Sequence, residues 1–212
     1  MSTANPLSGD AAALIIRALL DFRSLWTTHD LVSTSGVPAP TCRRVVALLE
    51  REALVERQAP GVIAVPNWLR LLRRWTEDTH TPRATHWRSR HRSQHVLDRV
   101  ATTQVRHAVT GVQAARHWTQ DVPAGPTVIY TPDVHRAAAD WDLAPATSRS
   151  VVLVEFRADL VYTRTRKTRS GLRLAAPSQV LSDLLTSGAA KSTAGADSLT
   201  HWMLEHELDW RY

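Results

Sequence analysis

The chain has 212 residues, 43% of them hydrophobic, which suits one large domain or two small ones with packed cores. A single cysteine excludes an internal disulfide and a cysteine-rich zinc site, and no run of about 18 apolar residues is present to span a membrane. The start MSTANPLSGD lacks the basic and apolar regions of a signal peptide, so a cytoplasmic protein is expected. Net charge is +6 and unevenly spread. Residues 1–75 hold nine basic against six acidic side chains, residues 76–107 six against three with five histidines, and residues 108–212 eleven against eleven. The positive excess therefore lies in the first half, as expected of a protein with one nucleic-acid-binding end.

In chain order, residues 1–9 read as a polar leader. Asp10 is placed to cap a helix through Phe22, with Ile15, Leu19 and Phe22 on one face, Ile16 and Leu20 widening it, and Leu25 and Trp26 closing it. Residues 27–65 are the most informative stretch. Thr27 and Asp30 form a capping signature for a short helix, Gly36 ends it, and Val37 plugs the corner. A second helix starts near Pro38 and Pro40, where proline costs no hydrogen bond, and Cys42, Val45, Val46 and Leu49 form its apolar face. The other face carries Ala39, Pro40, Thr41, Arg43 and Arg44, small groups and guanidiniums suited to base edges and phosphates. Residues 54–58 and 62–65 around Ala59-Pro60-Gly61 read as a hairpin with Arg57 and Gln58 near its tip. The whole is the layout of a winged helix-turn-helix. Thr28 would touch phosphate, Thr41, Arg43 and Arg44 would enter the major groove of double-stranded DNA, and Arg57 would reach the flanking groove or backbone. A pair of chains would span two half-sites about one helical turn apart. Pro66-Asn67 opens a further helix, WLRLLRRW, expected to pack back on this core, with a dimer contact as the alternative.

Residues 76–95 are polar and basic and read as a solvated or phosphate-touching linker. His91 and His95 stand four apart with His86 nearby, but no cysteine or carboxylate completes a ligand set, so no metal is expected. Val96, Val100 and Val105 lead into RHAVTGVQAARHW, where Thr110 can cap a short helix. A strand at 127–130, a helix at 133–141, a buried strand at 151–156 and a strand at 160–165 follow. The basic hairpin of Arg164, Arg166, Lys167, Arg169 and Arg173 reads first as a solvated strand face, with a phosphate- or protein-contacting surface as the alternative. PSQVLSDLL, with Val180, Leu181, Leu184 and Leu185 facing inward, and a last helix finish the chain. The expectation is a mixed α and β protein: a winged helix at 1–75, a basic connecting segment at 76–106 and a small α/β (α+β) domain at 107–212.

RHAVTGVQAARHW, the strands VIYTP and VVLVEF, and GLRLAAPSQVLSDLLTSG, in that order behind a winged helix, resemble the AbiEi-type antitoxins. The resemblance covers most of the chain. It implies an N-terminal domain that binds inverted repeats in its own promoter and represses a two-gene operon. It also implies a C-terminal domain that neutralises a partner toxin, a nucleotidyltransferase-like protein. The basic segment at 76–95 departs from the compact connection expected in that family. A stand-alone regulator with a ligand- or partner-sensing second domain is the alternative.

An enzyme is not expected, although one nuclease pattern is present. Asp133 precedes the run Val154-Glu155-Phe156-Arg157, as in a PD-(D/E)xK site that would hold Mg²⁺. Arg157 stands where that motif wants lysine, and the plainer reading has Asp133 capping a helix and Glu155 paired with an arginine. Ser178 and Ser182 lack any arrangement marking a nucleophile and base. No glycine-rich phosphate loop or other cofactor motif is present, so no cofactor is expected.

Overall fold

A computed structural model describes residues 7, 9–78, 84–89, 93–147 and 151–211, without the side chains of Asp78, Ser93 and Gln94. The chain mixes α and β structure and divides into two compact units, one of residues 1–80 with 206–212 and the other of residues 81–205.

The N-terminal unit begins with α1 (Asp10–Asp21). Its N-cap is Gly9, which makes Asp10 its first residue rather than its cap. Ile15, Ile16, Leu19 and Leu20 are buried, and Arg17 and Asp21 form a buried ion pair at 2.8 Å one turn apart. After β1 (Trp26–Thr27), α2 (Thr28–Ser35) starts with a full capping box: the Asp30 amide donates to Thr27 Oγ1 and the Thr27 amide to Asp30 Oδ2. Thr27's hydroxyl and amide hold the Asp30 carboxyl below its ordinary pKa. Gly36 closes the helix at φ 69°, a left-handed conformation that would strain any side chain, and its amide donates to the Val32 carbonyl at 2.9 Å. Then come α3 (Ala39–Arg51), β2 (Glu56–Ala59), β3 (Val62–Ala64) and α4 (Trp68–Asp78), with the strands in the order β1-β3-β2, all antiparallel. Cys42, Val45 and Leu49 are buried on α3, and burial raises the Cys42 thiol above its ordinary pKa, so it serves as packing. Trp26 is buried as expected, whereas Leu25 is exposed.

The second unit is built on a seven-stranded sheet of β4 (Ala84–Ser89), β5 (Ala108–Thr110), β6 (Thr127–Thr131), β7 (Leu143–Pro145), β8 (Val151–Glu155), β9 (Arg166–Lys167) and β10 (Arg173–Leu174), in the order β7-β4-β8-β6-β5-β10-β9. The buried strand β8 runs parallel to β6, with Thr127 opposite Val151 and Thr131 opposite Glu155. Its other neighbour, β4, corrects the sequence reading. The segment read as a basic linker contributes a strand paired on both sides, with Trp87 buried, and α5 (Ser93–Thr102) follows it. Alternation within THW was masked by the surrounding charges, and the strand is held by neighbours about sixty residues away in sequence.

The helices α6 (Gly111–Ala115), α8 (Pro177–Thr186) and α9 (Ala190–Glu205) pack together, while α7 (Val134–Asp140) packs on β7 and β8. The expected strand at 160–165 is instead a 3₁₀ turn, Asp159–Tyr162. Consecutive Leu160 and Val161 are both buried, which a two-faced strand cannot arrange with one buried face. Leu185 is exposed rather than inward.

His107 is buried in this unit, edge-on to Trp141, with Nδ1 2.9 Å from the Val105 carbonyl. Burial lowers its pKa, the Val105 carbonyl opposes that shift, and the Arg173 charge adds to it. With the folded pKa below the unfolded value of about 6.5, the unfolded chain takes up the proton first as pH falls. Stability is therefore expected to decline below about pH 6.5, and His107→Gln to flatten that decline in thermal melts run between about pH 7 and 5. Identical pH profiles for the two proteins would remove His107 as a contributor.

The last residues rejoin the N-terminal unit: α10 (Glu207–Trp210) and Arg211 belong to it, not to the preceding domain as the 107–212 boundary had it. Trp210 is buried edge-on against Trp68, with ring centroids 4.9 Å apart. The Arg211 guanidinium, also buried, donates from Nε to the Leu20 carbonyl at 2.8 Å and from Nη2 to the Leu19 and Phe22 carbonyls at 3.1 Å each, while Nη1 meets Glu207 at 2.6 Å. It thereby satisfies end carbonyls of α1, which has no basic residue in its own last turn.

Candidate nucleic-acid interface

The exposed side of α3 presents Pro40, Arg43, Arg44, Ala47 and Arg51 at helical spacing, with Ala39 and Thr41 half-buried at its start. Arg43 and Arg44 have no hydrogen-bond or ion-pair partner among the described residues, so neither is tucked into its own core. Ala47 and Arg51 were missed from sequence. They are the complement of the Cys42-Val45-Leu49 stripe, and extending the polar face two more turns would have found them.

Between α2, α3 and the strands lies a cleft of about 260 Å³ bordered by Thr28, Arg43, Ala47, Glu50, Arg57 and Gly61. Thr28 is the first residue of α2 and is half-buried there. Arg57 lies near the hairpin tip, paired across from Ile63, with the turn made by Pro60 and Gly61. Its guanidinium sits in a two-pronged pair with Glu50 of α3, at 3.1 and 2.9 Å, which raises its pKa and ties the hairpin to the helix. Gln58 is exposed at the bulge in β2 between Arg57 and Ala59. The structure thus brings Thr28, Arg43 and Arg57 to one cleft. Arg44 stands beside Arg43 on the exposed stripe and does not border the cleft.

In the second unit the residues of the nuclease pattern have ordinary structural partners. Asp133 Oδ1 accepts from the His135 and Arg136 amides at 3.0 Å each, capping α7, and Glu155 pairs with Arg157 at 2.9 Å. Among the described residues no cluster of three or more metal-ligating side chains occurs. His86 is half-buried and His95 exposed, whereas His91 lies outside the described residues. Ser178 and Ser182 are buried in α8. No described helix is long and apolar enough to cross a membrane.

The three sequence blocks of that unit meet at Asp183, which was not singled out from sequence. Its Oδ1 accepts from Tyr130 at 2.9 Å and from Gln179 Nε2 at 2.8 Å, and its Oδ2 from Thr110. Thr110 therefore spends its hydroxyl on Asp183 and makes no side-chain cap for α6, contrary to expectation.

No family model matches the chain, and no curated protein or solved structure matches it significantly.

Proposed function

We propose that the N-terminal unit is a winged helix that reads duplex DNA with α3, and that the protein is a transcriptional repressor acting on its own promoter. The observation that carries this reading is the exposed, unpartnered pair Arg43 and Arg44 beside a hairpin braced to the same helix. The order α1-β1-α2-α3-β2-β3, with two helices joined through a tight glycine turn, supports it. Arginine forks suit the O6 and N7 edge of guanine in the major groove. The second unit is proposed as the antitoxin half, which takes a nucleotidyltransferase-like toxin as partner. That part rests on the likeness of the three blocks to AbiEi-type antitoxins.

Arg44→Ala is expected to weaken binding to the duplex upstream of the protein's own reading frame by about 1–3 kcal/mol in a gel-shift titration. Because the side chain is exposed, its melting temperature should not move. Equal affinity for the two proteins would remove Arg44 from the interface, and no binding by the native protein would defeat the regulator reading. Co-purification with the product of the adjacent reading frame tests the antitoxin half.

A further inference from the structure

We infer that the β9–β10 hairpin of the second unit is a separate polyanion surface, one that grips the sugar-phosphate backbone of duplex DNA without reading its bases. Residues 163–175 contain five cations and no acid. In the antiparallel ladder Lys167 stands directly opposite Arg173, and Arg166 opposite Leu174. Directly opposed residues share a face, so the two cations lie side by side on the exposed side while Leu174 is buried on the other. Like charges in that register destabilise a hairpin. Nothing described relieves them: Lys167, Arg169 in the turn and Arg173 are exposed and have no acidic partner among the described residues. Elsewhere in the unit Arg99 is paired with Asp142 at 3.7 Å, Arg106 with Asp159 at 2.5 Å and Arg157 with Glu155 at 2.9 Å. The exposed Arg88, Arg116 and Arg136 also have no ion-pair partner among the described residues, but they do not stand opposite another cation in a strand ladder.

The hairpin is also held in place. Gly171 has φ 95°, and a Cβ there would lie 2.9 Å from the Ala101 carbonyl oxygen of α5, so the turn sits directly on that helix. The Thr168 amide donates to the Leu172 carbonyl at 2.8 Å, the Gly171 amide to the Thr168 carbonyl at 3.0 Å and the Leu172 amide to Thr168 Oγ1 at 3.0 Å. The backbone that carries these three uncompensated cations is already fixed, so it loses little freedom when an anion binds. A polyphosphate backbone supplies the missing countercharge and gains further from released counterions. The choice of duplex DNA as the polyanion rests on the reading of the N-terminal unit proposed above.

The test is fluorescence anisotropy of the full chain on a mixed-sequence duplex between about 50 and 200 mM salt. It compares the native protein with Lys167→Ala/Arg169→Ala/Arg173→Ala and with Arg43→Ala/Arg44→Ala. The triple variant is expected to lose about two to three from the slope of log affinity against log salt, with affinity falling about tenfold or more on every duplex alike. Its melting temperature should hold or rise as the Lys167–Arg173 repulsion is relieved, and the slope is read well below it. The double variant should keep salt-dependent binding through the hairpin. An unchanged slope in the triple variant, or complete loss of mixed-sequence binding in the double variant, would overturn the hairpin's role while leaving the α3 reading intact. Absence of duplex binding by the native protein would overturn both.

Discussion

Replacing Arg211 with alanine is expected to cost the N-terminal unit about 3–5 kcal/mol, the usual loss when one partner of a buried charged network is removed. The guanidinium serves three backbone carbonyls and the Glu207 carboxylate from a buried position. Alanine returns none of those bonds, and buried acceptors without donors cost about 1–3 kcal/mol each. Since a domain's whole stability is about 5–15 kcal/mol, the loss should bring local opening of α1 within easy reach. Hydrogen exchange on the α1 amides should report it directly. Arg211→Lys should recover only part, because an ammonium on a flexible stem cannot reproduce a planar fork that reaches Leu19, Leu20 and Phe22 together. Equal exchange rates in the native protein and the alanine variant would show that the tail is a passenger.

The second large effect is expected at Asp183. Asp183→Ala removes the acceptor shared by Thr110, Tyr130 and Gln179, and about 2–4 kcal/mol should follow from the second unit. Asp183→Asn should cost about 1 kcal/mol, because its one oxygen can still accept from Tyr130 and Gln179. Thr110, being a hydroxyl, can turn from donor to acceptor toward the new amide. The comparison separates hydrogen bonding from charge. If the two variants melt alike, the carboxylate's charge, and not its geometry, is what the cluster needs.

These cases mark where sequence was and was not informative. The N-terminal unit was legible because its signals are local: Thr27 and Asp30 cap α2, Gly36 ends it, Pro38 and Pro40 start α3, and the apolar stripe on α3 leaves its arginines outside. Each of those choices is made within a few residues of backbone. The long-range partners were not legible. Nothing near Trp210 or Arg211 announces that they close a helix near the start of the chain. Thr110 carries a cap's chemistry and uses it on Asp183, 73 residues on. β4 looked like a solvated linker because its charged flanks hid a short strand that exists through its neighbours, and Arg57 was placed by hairpin position while Glu50 decided where its side chain goes.

The route of the chain through the N-terminal unit sets an order of events during synthesis. The group that closes the carboxyl end of α1 is translated 191 residues after Leu20. Until then the helix must wait with its last carbonyls uncovered, and Trp68 without the ring that later packs on it. A product cut short anywhere within residues 81–205 would carry every residue of the N-terminal unit proposed to touch a promoter and still lack the piece that finishes their scaffold. The N-terminal unit is therefore expected to reach its full stability only once the residues after 205 have been translated.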